Sequence, residues 1–319
     1  EILIGLVGSE MCIRDSSQRE SQVRRARCRW LSTAPAAEFD CIPYISTVKL
    51  QYVFKIPHHP PPGLHPRGRY GMIKGKKERG RTMQRWSPEV IRYLHTAADR
   101  SRYYTDLARE LGAFLHPEDR VCDAGCGLGL LSRALLPYCG HVTAIDRSPA
   151  AIADLTARGH DPRLTALTGD IRDLPPQRPY DAMVFCLFGG TDEILDIAAR
   201  QCGGTALVVR RDFRQHQFSS GVRMAGHTAA DMEQELRRRG LTCTLRRFTL
   251  EFGQPFRSVE DALAFFRLYS RDGTAPARQE LEARLEPSPW PDYPLYLPNP
   301  KPLCLLAIPA AQLKEGSHG

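Results

Sequence analysis

Residues 120–139, RVCDAGCGLGLLSRALLPYC, constrain the fold more than any other stretch of the chain. A short apolar run leads into a turn with glycines at 125, 127 and 129, and an amphipathic run follows. That order is strand, tight turn, helix. Glycines at such a turn let the backbone approach a ligand closely and aim free helix N–H groups at it. The alternation then continues: HVTAID, LTALTGD, YDAMVFCLFG and TALVVRRDF read as strands, and SPAAIADLTARG and TDEILDIAARQC as the helices between them. The fourth strand is nearly all apolar, as a strand buried on both faces must be. Beyond it, AADMEQELRRRG and SVEDALAFFRLYS read as helices, TCTLRRFTLEF and PLCLLAIPA as strands. The pattern predicts an α/β fold, a doubly wound and mostly parallel sheet covered on both faces. Upstream, SPEVIRYLHTAADRSRYYTDLARELGAFL opens on Ser87-Pro88 with Glu89 in the first turn, a helix start. Tyr104, Leu107, Leu111 and Leu115 fall on one stripe of it, so Tyr103 and Tyr104 read as packing residues.

The glycine spacing separates two classes of ligand. A dinucleotide fingerprint, G-x-G-x-x-G, is built around a pyrophosphate. Here the glycines stand at every second position, and Asp123 precedes them at the strand end. A carboxylate there repels a pyrophosphate and suits a ligand carrying an ammonium and a sulfonium. Two further acids end successive strands: Asp146, placed to accept a pair of ribose hydroxyls, and Asp170, placed to receive an adenine amino group with Ile171 beside the ring.

In this order, VCDAGCGLG, AIDRS, GDIRDLP and YDAMVFCLFGG, the chain resembles the class I (Rossmann-like) S-adenosylmethionine-dependent methyltransferases over roughly residues 100 to 210. The resemblance implies a seven-stranded sheet with its last strand inserted antiparallel, and S-adenosyl-L-methionine as cofactor. It implies that Gly125, Gly127 and Gly129 line the methionine end, Asp146 the ribose, and Asp170 with Ile171 the adenine. Backbone near Cys186 is implied to close the site after the fourth strand.

Methyl transfer from a sulfonium asks the protein for orientation and, for some acceptors, a base. No fixed catalytic residue is expected, and His216 in RRDFRQHQFSSG is the one candidate base, with Arg211 and Phe218 as possible acceptor contacts or ordinary loop residues. FCLFGG lacks the Asn/Asp-Pro-Pro-aromatic sequence associated with methylation of base amines, and Cys186 lacks the preceding proline of cytosine-attacking enzymes. The segment EPSPWPDYPLYLPNPKP reads as part of a lid or as a proline-stiffened connection into the last strand. A small-molecule acceptor is the expected partner. An RNA or protein acceptor remains open and predicts Arg210, Arg211 and Arg214 clustered at the pocket mouth. A non-catalytic cofactor-binding module is the third reading.

Charge supports the small molecule. Residues 1–82 hold 15 Lys and Arg against 7 Asp and Glu, whereas residues 83–319 hold 29 of each, so the net +8 belongs to the leader. No metal-binding pattern appears, no apolar run reaches the roughly 18 residues of a membrane helix, and the scattered cysteines read as reduced thiols of a cytoplasmic protein. Residues 6–16, LVGSEMCIRDS, look like a translated sequencing adapter, so residues 1–16 are expected to be an artefact. Residues 17–82, basic and Pro-rich, read as a disordered tail or as translated upstream sequence, with Met72 or Met83 as initiator and the domain at 83–319.

Overall fold

The computed structural model describes residues 86–174, 179–214, 227–269 and 275–313. The leader lies outside the described residues, as do His216 and Phe218. A seven-stranded sheet runs β3 (Leu164–Thr168), β2 (His141–Asp146), β1 (Arg120–Ala124), β4 (Tyr180–Cys186), β5 (Cys202–Arg211), β10 (Pro300–Pro309), β6 (Thr244–Glu251). β3, β2, β1, β4 and β5 are parallel, and β10 enters antiparallel to both β5 and β6. This is the Rossmann-like methyltransferase order, with the last strand inserted one place from the edge.

Side-chain alternation divides the core between the two faces of the sheet. Val121, Val184, Leu207, Val209, Leu303 and Leu305 pack on one face, under α1 (Pro88–Ala98), α2 (Tyr103–Gly112) and α3 (Leu130–Leu135). Cys122, Met183, Phe185, Val208 and Leu306 pack on the other, under α5 (Thr191–Gln201) and α6 (Ala229–Arg238). α4 (Pro149–Ala157) covers β2 and β3 through Ile152 and Leu155. The odd positions of β5 and β10 therefore continue the first face, which puts Arg211 and Lys301 at its C-terminal margin.

The helical stretch before β1 divides. α1 stops at its C-cap Asp99, and Arg100 and Ser101 donate to carbonyls three residues back before α2 restarts at Tyr103. The break lets the two helices point differently over the same face. The proline-rich tail segment folds as a hairpin of β8 (Glu286–Trp290) and β9 (Tyr293–Leu297), joined by β7 (Gln254–Phe256) in a small sheet ordered β7-β9-β8. Pro287 and Pro289 sit on the edge strand β8, by a register shift between Pro287 and Trp290, whereas Pro294 lies in the middle strand β9.

α1 is fastened to this insertion. Tyr93 donates its hydroxyl to Asp261 at 2.7 Å and meets Phe256, Phe265 and Tyr269 edge-on, the latter two from α7 (Val259–Tyr269). Such aromatic pairs add about 0.5–1.5 kcal/mol each beyond their buried area. Ser87 caps α1 by accepting from the Val90 N–H at 3.3 Å, which fixes the chain entering the helix, and with it Trp86.

Candidate active site

The C-terminal ends of β1, β2 and β4 meet at the glycine turn. Gly125, Gly127 and Gly129 all have left-handed φ, at +72°, +55° and +65°. Two of them also leave no room for a side chain: a Cβ on Gly125 would stand 2.4 Å from the Phe188 ring, and one on Gly129 would stand 2.4 Å from Leu155. At Gly127 the nearest neighbour is the ring of Trp86, a tight 3.1 Å away. The turn thus lies between an aromatic ring from the β4 loop and one from the residue before the N-cap of α1. Gly125→Ala is expected to lower unfolding free energy by about 2–5 kcal/mol, the left-handed cost plus overpacking against Phe188. Urea denaturation checks it, and a loss under about half a kcal/mol would contradict the Phe188 contact.

Asp146 stands at the end of β2, beside the turn. Its Oδ2 accepts the Gly127 N–H at 2.9 Å and its Oδ1 accepts the Ser148 N–H at 2.8 Å. A carboxylate has about four acceptor positions, so one remains on each oxygen for two hydroxyls side by side. The residue is only partly buried, and the fit to a ribose diol is good.

Asp123 is enclosed along with the strand around it. It is 2% exposed, its Oδ2 accepts the Ser132 hydroxyl at 2.5 Å, and burial pushes its pKa up to about 6, against the pull of Ser132. Tyr104 and Cys186 lie beside it, and burial with the Asp123 charge pushes the thiol well up. Asp170 caps a single 3-10 turn after β3. Burial would raise its pKa, but Arg172, by hydrogen bonds and charge, and Arg147 hold it low. Its Oδ1 takes both the backbone N–H and Nε of Arg172, at 3.0 and 2.9 Å, so most of its acceptor capacity is already committed. Ile171 is 4% exposed and packs with Ile145 in the core of the α5–α6 face.

The loop after β4 is held open by an arginine. Leu187 and Gly189 take left-handed φ of 52° and 53°, and Arg210 Nη1 donates to the Phe188 and Gly189 carbonyls, both at 2.8 Å. Arg210 is 1% exposed, and burial followed by the Arg211 charge pulls its pKa down to about 10. His227, also left-handed at φ 57°, stands against Gly190, and burial with Arg210 and Arg211 lowers its pKa, so its ring is neutral at pH 7. The cluster of Arg210, Arg211 and Arg214 at the pocket mouth, which an RNA or protein acceptor predicts, is not exposed. The first two are buried at 1% and 6% exposure, and Arg214 pairs with Asp231 at 2.9 Å.

These observations bear on the family. Residues 121–203 match a family model described as a methyltransferase domain. Over that segment the chain is similar to methyltransferase domains. The matched segment begins inside β1 and ends at the start of β5, so it holds the glycine turn, Asp146 and Asp170. A trans-aconitate 2-methyltransferase of Streptomyces avermitilis is 33% identical over 107 residues, 31% of this chain. The chain matches 38% of that relative's length. Among solved structures, magnesium protoporphyrin IX methyltransferase of Synechocystis with bound S-adenosylmethionine shares 16% identity, with 69% of this chain and 80% of that one covered and a TM-score of 0.36. The YcgJ protein of Bacillus subtilis shares 16% identity over 67% of this chain and all of its own, with a TM-score of 0.40. Strand order, with β10 antiparallel between β5 and β6, defines the fold.

Two residues that no motif or spacing singles out in the sequence stand beside these loops: Trp86 at the glycine turn and His227 at Gly190. Only the Ser-Pro cap after Trp86 hinted that the first of them would be fixed in place.

Proposed function

We propose that this protein is an S-adenosylmethionine-dependent methyltransferase of small molecules, its catalytic domain spanning residues 83–319. The observation that carries the reading is the left-handed triple-glycine turn with Asp146 beside it, its carboxylate accepting the Gly127 N–H and keeping acceptor positions open. When bound, the cofactor supplies a methyl group on sulfonium, which is displaced in line.

The chain's own residues bind and orient. Gly125, Gly127 and Gly129 hold backbone against the methionine end, and Asp146 takes the ribose hydroxyls. Asp123 lies behind the turn and offers a buried negative charge to a ligand that carries positive ones. Ile171 and the Asp170–Arg172 pair border the adenine end, where Asp170 acts with its guanidinium partner rather than as a bare acceptor. The Cys186 end of β4 closes the site, and neutral His227 is a proton acceptor that the β4 and β5 ends place nearby. Trp86 covers the turn. Trp86→Ala is expected to weaken S-adenosylhomocysteine binding about tenfold, the worth of one lost aromatic contact, and to abolish ligand-induced quenching of tryptophan emission. Unchanged quenching in the variant would remove Trp86 from the site.

Burial of Arg210 and Arg211 leaves no exposed arginine cluster among the described residues there, which favours a small acceptor over RNA. The trans-aconitate relative acts on a small molecule too. The seven free cysteines of the described residues fit a reducing cytoplasm, and no described helix is long and apolar enough to cross a membrane. The test is label transfer from methyl-tritiated S-adenosylmethionine in a cell extract. Label in the acid-soluble small-molecule fraction supports the reading. Label confined to precipitated RNA or protein contradicts the acceptor class, and binding without any transfer contradicts catalysis.

A further inference from the structure

The loop after β4 takes its shape from a side chain at the end of β5. Leu187 continues the sheet for one residue, its N–H donating to the Val209 carbonyl at 3.0 Å. The chain then turns through left-handed φ at Leu187 and Gly189. Such backbone is costly at a leucine and persists only where the surroundings hold it. Arg210, paired with Cys304 across the β5–β10 ladder, supplies one hold: Nη1 donates to the Phe188 and Gly189 carbonyls, both at 2.8 Å. Glu193, in the first turn of α5, supplies the other by accepting the Gly190 N–H at 3.4 Å. The loop is thus gripped at two carbonyls by a guanidinium and at an N–H by a carboxylate.

This grip reaches the glycine turn through one ring. Phe188 is 8% exposed, packs on Phe185 with centroids 5.8 Å apart, and lies so close to Gly125 that a Cβ there would stand 2.4 Å from it. Gly125 in turn donates its N–H to the Ile145 carbonyl at 2.8 Å, next to Asp146. The contacts therefore run from Arg210 to Phe188, to Gly125, to the end of β2. Glu193 links the same loop to the adenine side, since it stands 3.4 Å from Arg172 Nη1 and Arg172 is bound to Asp170.

Two adjacent carbonyls turned inward need a donor, and a neutral amide would supply one at a smaller desolvation cost. A guanidinium at 1% exposure is a costly choice, even with the Glu193 and Asp231 charges in its favour. What it adds is a charge-assisted bond to each carbonyl from a planar group that cannot turn away. Backbone fixed at such cost collects where a ligand has to meet a set geometry.

We propose that Arg210 is a positioning residue for the cofactor: by holding the β4 loop it seats Phe188 against Gly125 and fixes the glycine turn in the shape that receives the methionine end. Arg210 acts through Phe188 and not by contact with the cofactor. The identity of the ligand rests on the methyltransferase reading, whereas the coupling of Arg210 to the turn belongs to the ligand-free protein and is testable there.

The experiment is calorimetric titration of the full chain and its variants with S-adenosylhomocysteine and with adenosine, which lacks the amino-acid end. Arg210→Met should weaken S-adenosylhomocysteine binding about tenfold, the worth of one hydrogen bond lost at the turn, and leave adenosine within about twofold. Phe188→Ala should do the same, and the double variant should bind no more weakly than Phe188→Ala alone. An arginine with a merely structural role would cost both ligands alike, and that result overturns the proposal. Additive losses in the double variant, or full S-adenosylhomocysteine affinity in folded Arg210→Met, overturn it too. Should that variant fail to fold, Arg210→Lys, which keeps the charge without the planar group, decides by the same ratio of ligands, an unchanged ratio overturning the proposal. Hydrogen exchange of the ligand-free protein decides where a ligand does not bind. The Gly125 and Cys126 amides, both on the Ile145 carbonyl, should exchange severalfold faster in the Arg210 variant while those of β1 stay protected. That result in a chain whose wild type binds no S-adenosylhomocysteine would uphold the role of Arg210 and count against the methyltransferase reading instead. Unchanged exchange overturns the proposal.

Discussion

Asp146→Ala is expected to weaken S-adenosylhomocysteine binding by at least about 100-fold. The reason is cumulative. The variant removes the acceptor for two ribose hydroxyls, and hydrogen bonds to a charged group are worth about 1.5–3 kcal/mol each, so roughly 3–6 kcal/mol is lost. It also releases the Gly127 and Ser148 N–H groups that the carboxylate now holds at 2.9 and 2.8 Å, so the turn loses its anchor to β2. Asp146→Asn keeps acceptor capacity but not the charge and should fall between. Calorimetry with both variants checks the series, and an alanine variant binding within about tenfold of wild type would place the ribose elsewhere.

The second large effect is on stability and runs the opposite way. Asp123 has a pKa of about 6 in the folded protein, because burial disfavours its charge. An unfolded chain ionises an aspartate near 3.9. Between those values the folded state binds the extra proton, so this group favours folding below about pH 4 and loses that contribution as pH rises through 6. Above pH 6 the ionised carboxylate costs the ligand-free protein roughly 3 kcal/mol. Asp123→Asn removes the charge while an amide can still meet Ser132. The variant is expected to be up to about 3 kcal/mol more stable than wild type at pH 7.5 and nearly equal at pH 4, with weaker cofactor binding. Urea unfolding across that range reads the difference. A constant difference at every pH would mean the carboxylate is not desolvated as described.

That trade explains a feature of the site. A buried negative charge without a full counter-charge is tolerable in the ligand-free state only if a cationic ligand repays it.

Much of the architecture was legible in the sequence because its signals are local. Strand, turn and helix around DAGCGLG follow from apolar runs and glycines within twenty residues, and the apolar YDAMVFC could only be an inner strand. Antiparallel insertion of β10 was not legible from periodicity, since PLCLLAIPA looks the same in either direction; the family resemblance supplied it. The β7-β9-β8 sheet stayed hidden because prolines at 287, 289 and 291 erase the alternation that marks a strand.

Site residues divide similarly. Asp146 was legible as a strand-end acid, and its hydrogen bonds match that reading. Asp123 was legible as a carboxylate beside the turn, but its enclosure by Tyr104 and Ser132 depends on α2 folding back over β1. Asp170 looked like a free acceptor because the commitment of its carboxylate to Arg172 is a matter of rotamers, not of spacing. Lys301 lies between prolines, and only register places it, two residues before Leu303, on an inward face. His216 lies outside the described residues, and His227 was not legible because left-handed backbone at a histidine has no sequence signature.

The most direct measurement is titration of the full chain with S-adenosylhomocysteine and, separately, with NAD. Both ligands carry adenosine, so the comparison isolates what the glycine spacing and Asp123 do to the group beyond the ribose. Saturable one-to-one binding of S-adenosylhomocysteine with none of NAD is the expected result. Binding of NAD in preference, or of neither ligand to the folded protein, would contradict the assignment of this turn to a sulfonium cofactor.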